Sequence, residues 1–561
     1  MTKARPRLKI IFMLFFNKFS RAAKAAILTV LFAVTGVFSS CDNSSDMPFI
    51  PIVPQQKKKS DWLFLLYFDA DDPNINDDLY KNMRDIECAF AKTRNADGSP
   101  KKGYASVTAL VLWDGISDEA KGEDQRFIHA DGELYEIGAD YTLSYIPQKG
   151  NKYGAGYVDL ADGFSVGANT KRLTEAARWA GWLAKEPNMS DSATFTNFLK
   201  WAKARYEAPN VVVCLQDHGA GTYKETYTDS TAISKTLCVD ATNGGDRELT
   251  CKNITDALKA AGWTGRHKPK ILWNDLCLQG TAEIVWNYRG CADYYCSSPN
   301  ISCMPDYYGV FSNIKSGMTA LDVGKVMVSA YFERYYNELI DCPKDEKAAK
   351  NSRASGCSMF TSSFISLDEQ KVGEFKTAVD KFAKDLLAMK EADEELFKDV
   401  FRNCLAQNIN SLPDCKGLTY SGTYAFLSDL GWLCNDICAS SSWDGTAAKT
   451  SADNLCNLLE HGDDKLIIYA WGGKRAGKQK TAASGELEWD EVTSNQMYLT
   501  GQKDFISQET IACERLNKPF GLTIVGSVWG GMPKEYNTVL HYDDWTGFSS
   551  KWGKVLNAWL Y

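Results

Sequence analysis

The chain has 561 residues, 44% of them hydrophobic and 12% aromatic, which is enough apolar material for a large packed core and excludes a disordered chain. A net charge of −8, spread along the sequence, excludes the basic footprint of a nucleic-acid-binding protein.

The first forty residues read as an export signal. Lys3, Arg5, Arg7, Lys9, Lys18, Arg21 and Lys24 precede the apolar run "AAILTVLFAVTGVF", which is short for a membrane span. The run ends in "FSSC", an apolar residue, two small ones and a cysteine. This resembles the lipobox of bacterial lipoproteins and implies lipidation at Cys41, hence an exported protein anchored to a bacterial membrane on its periplasmic or cell-surface side; an ordinary cleaved signal or an uncleaved anchor is the alternative. Residues 41–60, polar and proline-bearing, read as a tether. Disulfides are compatible with export, but the seventeen cysteines cannot be paired from sequence. Cys291, Cys296, Cys303, Cys434 and Cys438 lack the paired spacing and neighbouring histidines of a zinc site.

From residue 61 the chain alternates strand and helix. "DWLFLLYFDADDPN" is an apolar strand ending in acids, followed by Leu79, Met83, Ile86 and Phe90 at helical spacing. "ASVTALVLWDG" is a second strand. Phe195, Phe198, Leu199 and Ala202 mark a helix before the strand "NVVVCLQDHGAGT". Leu249, Ile254, Ala257 and Leu258 mark another before "KILWND". Apolar strands alternating with amphipathic helices predict an α/β domain, a mostly parallel sheet covered on both faces. Beyond residue 340 come a long helix through Val372, Phe375, Val379, Phe382 and Leu386 and the strand-like runs "KLIIYAW" and "PFGLTIVGSVW". The division expected is 61–340 as a catalytic core and 341–561 as an α/β region completing or flanking it.

In such sheets ligands bind beyond the carboxyl ends of the strands. Of five histidines, His218 alone leaves an apolar strand directly into glycines; Gly219 lets a backbone N–H approach a substrate oxygen. Cys277 leaves the strand "KILWND" and precedes an expected helix beginning near Gln279, whose N-terminus would favour a thiolate. The acids of "DADDPNINDD" put Asp69 and Asp71 at the first and third positions of a calcium loop. Asn74 stands where glycine is required and Tyr80 where a bidentate acid belongs, so the expectation is a strand end with a helix cap.

A histidine and a cysteine on neighbouring strand ends resemble the caspase, legumain and gingipain group of cysteine peptidases. "DHGAGT", "D-L-C-L" and the early "YFDADDPN" look like the clostripain family in particular. "CADYYCSSPNI", "SMFTSSFISLDEQKV", "FGLTIVGSV" and "YDDWTGFSSKWGKVLNAWLY" extend the likeness over residues 61–561. Asn274 and Gln279 depart from the family pattern, which usually has an aromatic and a methionine there. The resemblance implies a caspase-like αβα sandwich and a cysteine endopeptidase acting on polypeptides after Arg or Lys. In it Cys277 is the nucleophile, His218 the acid–base partner, and the N–H groups of Gly219 and Cys277 form the oxyanion hole. It implies an acid in the specificity pocket, for which Asp306 is the first candidate and Asp275 and Asp293 the reserves. It also implies self-cleavage between histidine and cysteine, where Lys224 and Lys235 are the basic positions. No cofactor is expected, although some relatives use calcium, which leaves such an ion open with no site assigned. The rival reading is a surface lipoprotein that kept the fold and binds a peptide or other ligand without catalysis.

Overall fold

A strand whose residues are all apolar must be covered on both faces, and the first long strand shows how. In the computed structural model, Trp62–Ala70 (β1) is buried along its whole length, with Leu63, Leu65 and Tyr67 facing one layer of core and Trp62, Phe64, Leu66 and Phe68 the other. The structure describes residues 56–560 apart from internal segments, the longest being 117–131, 220–236, 342–358, 401–426 and 526–547. The signal and Cys41 lie outside the described residues, as do Lys224 and Lys235.

After β1 come Asn76–Thr93 (α1), Val107–Gly115 (β2), Glu133–Glu136 (β3) and Lys171–Arg172 (β4). Ser192–Arg205 (α2) leads to Asn210–Gln216 (β5), Cys251–Ala260 (α3) to Ile271–Asp275 (β6), and Ala282–Tyr288 (α4) to Tyr294–Ser297 (β7). Then follow Tyr307–Phe311 (α5), Ala320–Asp341 (α6), Met359–Ser366 (β8) and Glu369–Ala392 (α7). Ala447–Leu458 (α8), Ile467–Arg475 (β9), Met497–Gly501 (β10), Cys513–Leu516 (β11) and Ser550–Leu560 (α9) complete the series.

Eleven strands form one sheet in the order β11-β10-β9-β8-β7-β6-β5-β1-β2-β3-β4. The five central strands, β7 to β2 in that order, are parallel, and β3, β4, β8 and β9 add antiparallel. The sheet is therefore parallel where connections cross through helices and mixed towards its edges. One face is covered by α2, α3, α4, α7, α8 and α9, the other by α1, α5 and α6, giving the αβα sandwich. The run "PFGLTIVGSVW" yields Thr523–Val525, which pairs with Leu427–Asp429 in a separate two-stranded sheet.

Local chemistry sets the helix starts. Thr250 and Asn253 form a capping box on α3, and Asp191 and Asp368 accept backbone N–H groups at the starts of α2 and α7. The acids after β1 do not cap α1. Its N-cap is Ile75, without a side-chain hydrogen bond, and Asn76 instead ties back to the Ala70 carbonyl at 2.7 Å.

Because β1 has β2 on one side and β5 on the other, consecutive connections leave β1 in opposite directions. This opens a crevice at the carboxyl ends of β1, β5 and β6. His218 follows β5 and Cys277 follows β6, so both candidate residues sit at that crevice.

Candidate active site

Cys277 stands in a turn that leaves β6 sharply. Leu278 has φ 61°, a left-handed conformation that costs a non-glycine residue roughly 1–2 kcal/mol, and its buried side chain anchors the turn in the core. The turn is pinned further along: Gly280 N–H donates to the Ser298 carbonyl at 2.8 Å and the Tyr295 hydroxyl to the Gln279 carbonyl at 3.0 Å. Cys277 itself is only half-buried.

The helix expected near Gln279 begins at Ala282, with Thr281 as its cap, so its N-terminus does not act on the thiol. Another donor does. The Ser302 backbone N–H points at Cys277 Sγ from 3.3 Å, and the thiol in turn lies 3.7 Å from the Ser302 carbonyl. The N–H donates to sulfur while the thiol faces the carbonyl, so the Ser302 peptide positions the side chain.

Gly219 joins the two candidate segments. A Cβ there would sit 2.8 Å from the Cys277 nitrogen, 2.9 Å from Leu276 Cβ, and closer still to the Cys277 carbonyl oxygen. The glycine is required by this close approach of two backbones. Gly219→Ala is expected to displace the His218 and Cys277 segments, lowering kcat/KM by about 10²-fold or more. Steady-state hydrolysis with a circular dichroism control checks this; near-wild-type kinetics would mean that the contact does not set the site.

His218, about a quarter exposed, has its Nε2 3.3 Å from Asp72 Oδ2, a close approach without the alignment of a hydrogen bond. Asp72 was not singled out from the sequence. Its only signal was its place in the acidic end of "YFDADDPN", and nothing in the spacing links it to a histidine so far along the chain.

The two departures from the family pattern prove to be one. Asn274 Nδ2 donates to Gln279 Oε1 at 3.3 Å and to the Tyr288 hydroxyl at 3.3 Å, and Gln279 Nε2 donates to the Cys277 carbonyl at 3.4 Å. Both amides are buried, so they replace an apolar packing pair by a hydrogen-bonded one that reaches the Cys277 backbone.

Ser302 also lines a small, shallow open pocket together with Trp273, Asp275, Ser297, Ser298, Pro305 and Tyr331. Its carboxylate is Asp275, whose Oδ2 accepts from Gln216 Nε2 at 2.5 Å and from the Tyr307 hydroxyl at 3.0 Å. Those two donors fix the carboxylate at the pocket wall.

Asp306, expected as the first pocket acid, is fully buried and engaged elsewhere. It caps α5, accepting from the Gly309 N–H at 2.9 Å, and its Oδ1 lies 3.9 Å from Arg334 Nη1, which is 3.6 Å from Asp85 as well. Asp293 is spent on Lys268 and Lys270, at 3.0 and 2.6 Å. The structure thus packs Gly219 against Cys277 and puts Asp275 on the pocket beside Ser302, while Asp306 is buried against Gly309 and Arg334 and Asp293 pairs with Lys268 and Lys270.

Comparison with known proteins places this architecture. Residues 149–559 match the model of the clostripain family. Clostripain of Hathewaya histolytica is 22% identical over 440 residues, 74% of this chain and 72% of that protein. Among solved structures, a secreted C11 cysteine protease from Bacteroides thetaiotaomicron, with an irreversible peptide inhibitor, aligns over 87% of this chain and 99% of its own, at 13% identity and a TM-score of 0.49. An inactive zymogen C11 protease from Parabacteroides distasonis aligns over 90% and 99%, at 12% identity and a TM-score of 0.44.

Proposed function

The chain belongs to the clostripain family of cysteine peptidases and acts on polypeptides, and from this premise we propose a Cys277–His218 endopeptidase that cuts after Arg or Lys. The observation that carries the assignment is the packing of Gly219 against the backbone of Cys277, which makes the histidine-bearing and cysteine-bearing strand ends a single site.

In this reading Cys277 Sγ attacks the scissile carbonyl carbon, forming a tetrahedral intermediate whose oxyanion is held by the N–H groups of Gly219 and Cys277. His218 takes the thiol proton and gives it to the leaving amine, releasing the first product and leaving an acyl-enzyme. Water, deprotonated by His218, then hydrolyses the thioester and restores the thiol. Asp72 holds the imidazole in orientation. Asp72→Asn is expected to lower kcat about tenfold with KM little changed, and Asp72→Glu to restore part of it. Equal kcat for Asp72→Asn and wild type would remove Asp72 from the mechanism.

The specificity rests on the pocket. We assign Asp275, whose carboxylate lines this pocket, as the partner of the substrate's guanidinium or ammonium, since a cation withdrawn from water needs such a partner. A peptide-library cleavage profile on purified protein tests this directly: cuts should fall after Arg and Lys, and a preference for apolar or acidic residues would end the specificity claim.

The export reading is part of the same proposal. No helix among the described residues is long and apolar enough to cross a membrane. Lipid on Cys41 would hold the protein at the membrane, and Cys41→Ser should lose that hold. Detergent phase partitioning checks it, and retention of the variant in the detergent phase would point to an uncleaved anchor. Residues 61–340 are taken as the catalytic core and 341–561 as its C-terminal completion, with self-cleavage at Lys224 or Lys235 expected to split wild type, but not Cys277→Ala, into two chains.

A further inference from the structure

Three thiols meet between two helices that the peptidase reading does not use. The helix Leu430–Ala439 carries Cys434 and Cys438, four residues apart and therefore stacked on one face. It packs against α8, which carries Cys456, and the short connection between them is anchored by the buried Trp443. Contacts cross between the helices beside the sulfurs. Cys456 Sγ lies 3.7 Å from Asn435 Oδ1, and Cys438 Sγ 3.9 Å from the Lys449 carbonyl. The Cys456 sulfur also accepts from the thiols of both Cys434 and Cys438. Cys434 is fully buried, whereas Cys438 and Cys456 are partly exposed at the margin of the core.

We infer that Cys456 is the reactive thiol of a disulfide site, with Cys434 and Cys438 as its alternative partners and a low-molecular-weight disulfide as its oxidant. The exchange balances without a further redox partner. Cys456 gives up its proton and attacks one sulfur of the incoming disulfide. That S–S bond breaks, the other half leaves as a thiol with the proton, and a mixed disulfide stands on Cys456. The thiol of Cys434 or Cys438 then attacks the Cys456 sulfur, forming the protein disulfide and releasing the second half with its own proton.

The surroundings single out the attacking group. Hydrogen bonds from Cys434 and Cys438 lower the Cys456 thiol, whereas burial raises Cys434 and pushes Cys438 up to about 12. Cys456 is thus the thiol that ionises most readily, and it keeps exposed surface through which a small disulfide reaches it. A shared thiophilic ion is the other chemistry open to three thiols. Among the described residues the three sulfurs do not close to the mutual spacing of a metal-ligand set, so they serve pairwise. A bond from Cys456 to either partner closes a loop of about 20 residues and fastens the helix Leu430–Ala439 to α8, which itself packs on α7. None of the three thiols is used by the peptidase reading, so the failure of that reading leaves this inference standing.

The test uses the full chain, reduced, freed of reductant and exposed to oxidised glutathione, with the remaining thiols then alkylated and a tryptic digest read by mass spectrometry without reduction. Residues 417–449 and 450–465 should appear as one disulfide-linked pair. In the reduced protein Cys456 should be alkylated at least about tenfold faster than Cys434 or Cys438. Cys434→Ser and Cys438→Ser, made singly, should each keep the link, because Cys456 retains one neighbour, with circular dichroism as the check of fold. Folded wild-type protein that forms no link between these peptides overturns the inference. So does loss of the link in either single variant at unchanged fold, or alkylation of Cys456 more slowly than of Cys438.

Discussion

Cys277→Ala is expected to abolish peptide hydrolysis, by at least about 10⁴-fold in kcat, while the circular dichroism spectrum and Tm stay those of the wild type. The stability half of this expectation follows from position. The side chain is half-buried at the margin of the core, where it meets the Ser302 backbone. The turn that carries it is held by other residues, Leu278, Gly280 and Gln279. The catalytic half follows from chemistry: Cys277 is half-buried at the crevice, whereas Cys238, the other described thiol near the histidine-bearing strand end, is fully buried and its burial pushes the thiol up. Cys277→Ser should be almost as inactive, because a hydroxyl is far harder to ionise than a thiol. Active-site titration separates true residual activity from contaminating protease. Survival of more than a few per cent of activity in Cys277→Ala would place the nucleophile elsewhere.

The second large effect is on selectivity. Asp275→Asn keeps the shape of the pocket wall and the hydrogen bonds from Gln216 and Tyr307 within reach of an amide, but removes the charge. Leaving a desolvated cation without its partner costs roughly 3–5 kcal/mol, so kcat/KM for Arg and Lys substrates should fall by about 10²- to 10⁴-fold. Alkylation of Cys277 by a small reagent should be unaffected, which distinguishes a lost specificity contact from a damaged nucleophile. Asp306→Ala makes the contrasting variant. Removing a helix cap beside the buried Arg334 should lower Tm by leaving that guanidinium short of one carboxylate, with substrate preference following only through the loss of fold. If Asp306→Ala instead abolished basic preference at unchanged Tm while Asp275→Asn did not, the two roles would have to be exchanged.

Much of this was legible before any coordinates. Continuous apolar runs can only be strands buried on both faces, so β1, β2, β5 and β6, and with them the crevice holding His218 and Cys277, follow from composition and alternation. Gly219 was legible for the same reason: a glycine directly after a strand-end histidine signals a close backbone approach, and the structure supplies the other backbone, that of Cys277. What was not legible depends on three-dimensional register. Nothing in the order of residues shows that Asp275 projects to the pocket face while Asp306 turns inward to cap a short helix, since both lie a few residues from a strand end. The start of α4 at Ala282 rather than near Gln279 reflects a left-handed Leu278, a conformation that leucine does not advertise. The approach of Asp72 to His218 joins the ends of strands distant in sequence and adjacent only in the sheet.

The central claim, a nucleophilic Cys277 served by His218, is tested most directly by a peptidyl thiol-directed inhibitor with Lys at the position entering the pocket, followed by mass spectrometry of the labelled peptide. The expected result is stoichiometric modification of Cys277 in the native protein, slowed by at least about 10²-fold in His218→Ala at unchanged fold. Modification of a different residue, or equal labelling of Cys277 with and without the histidine, would contradict the account.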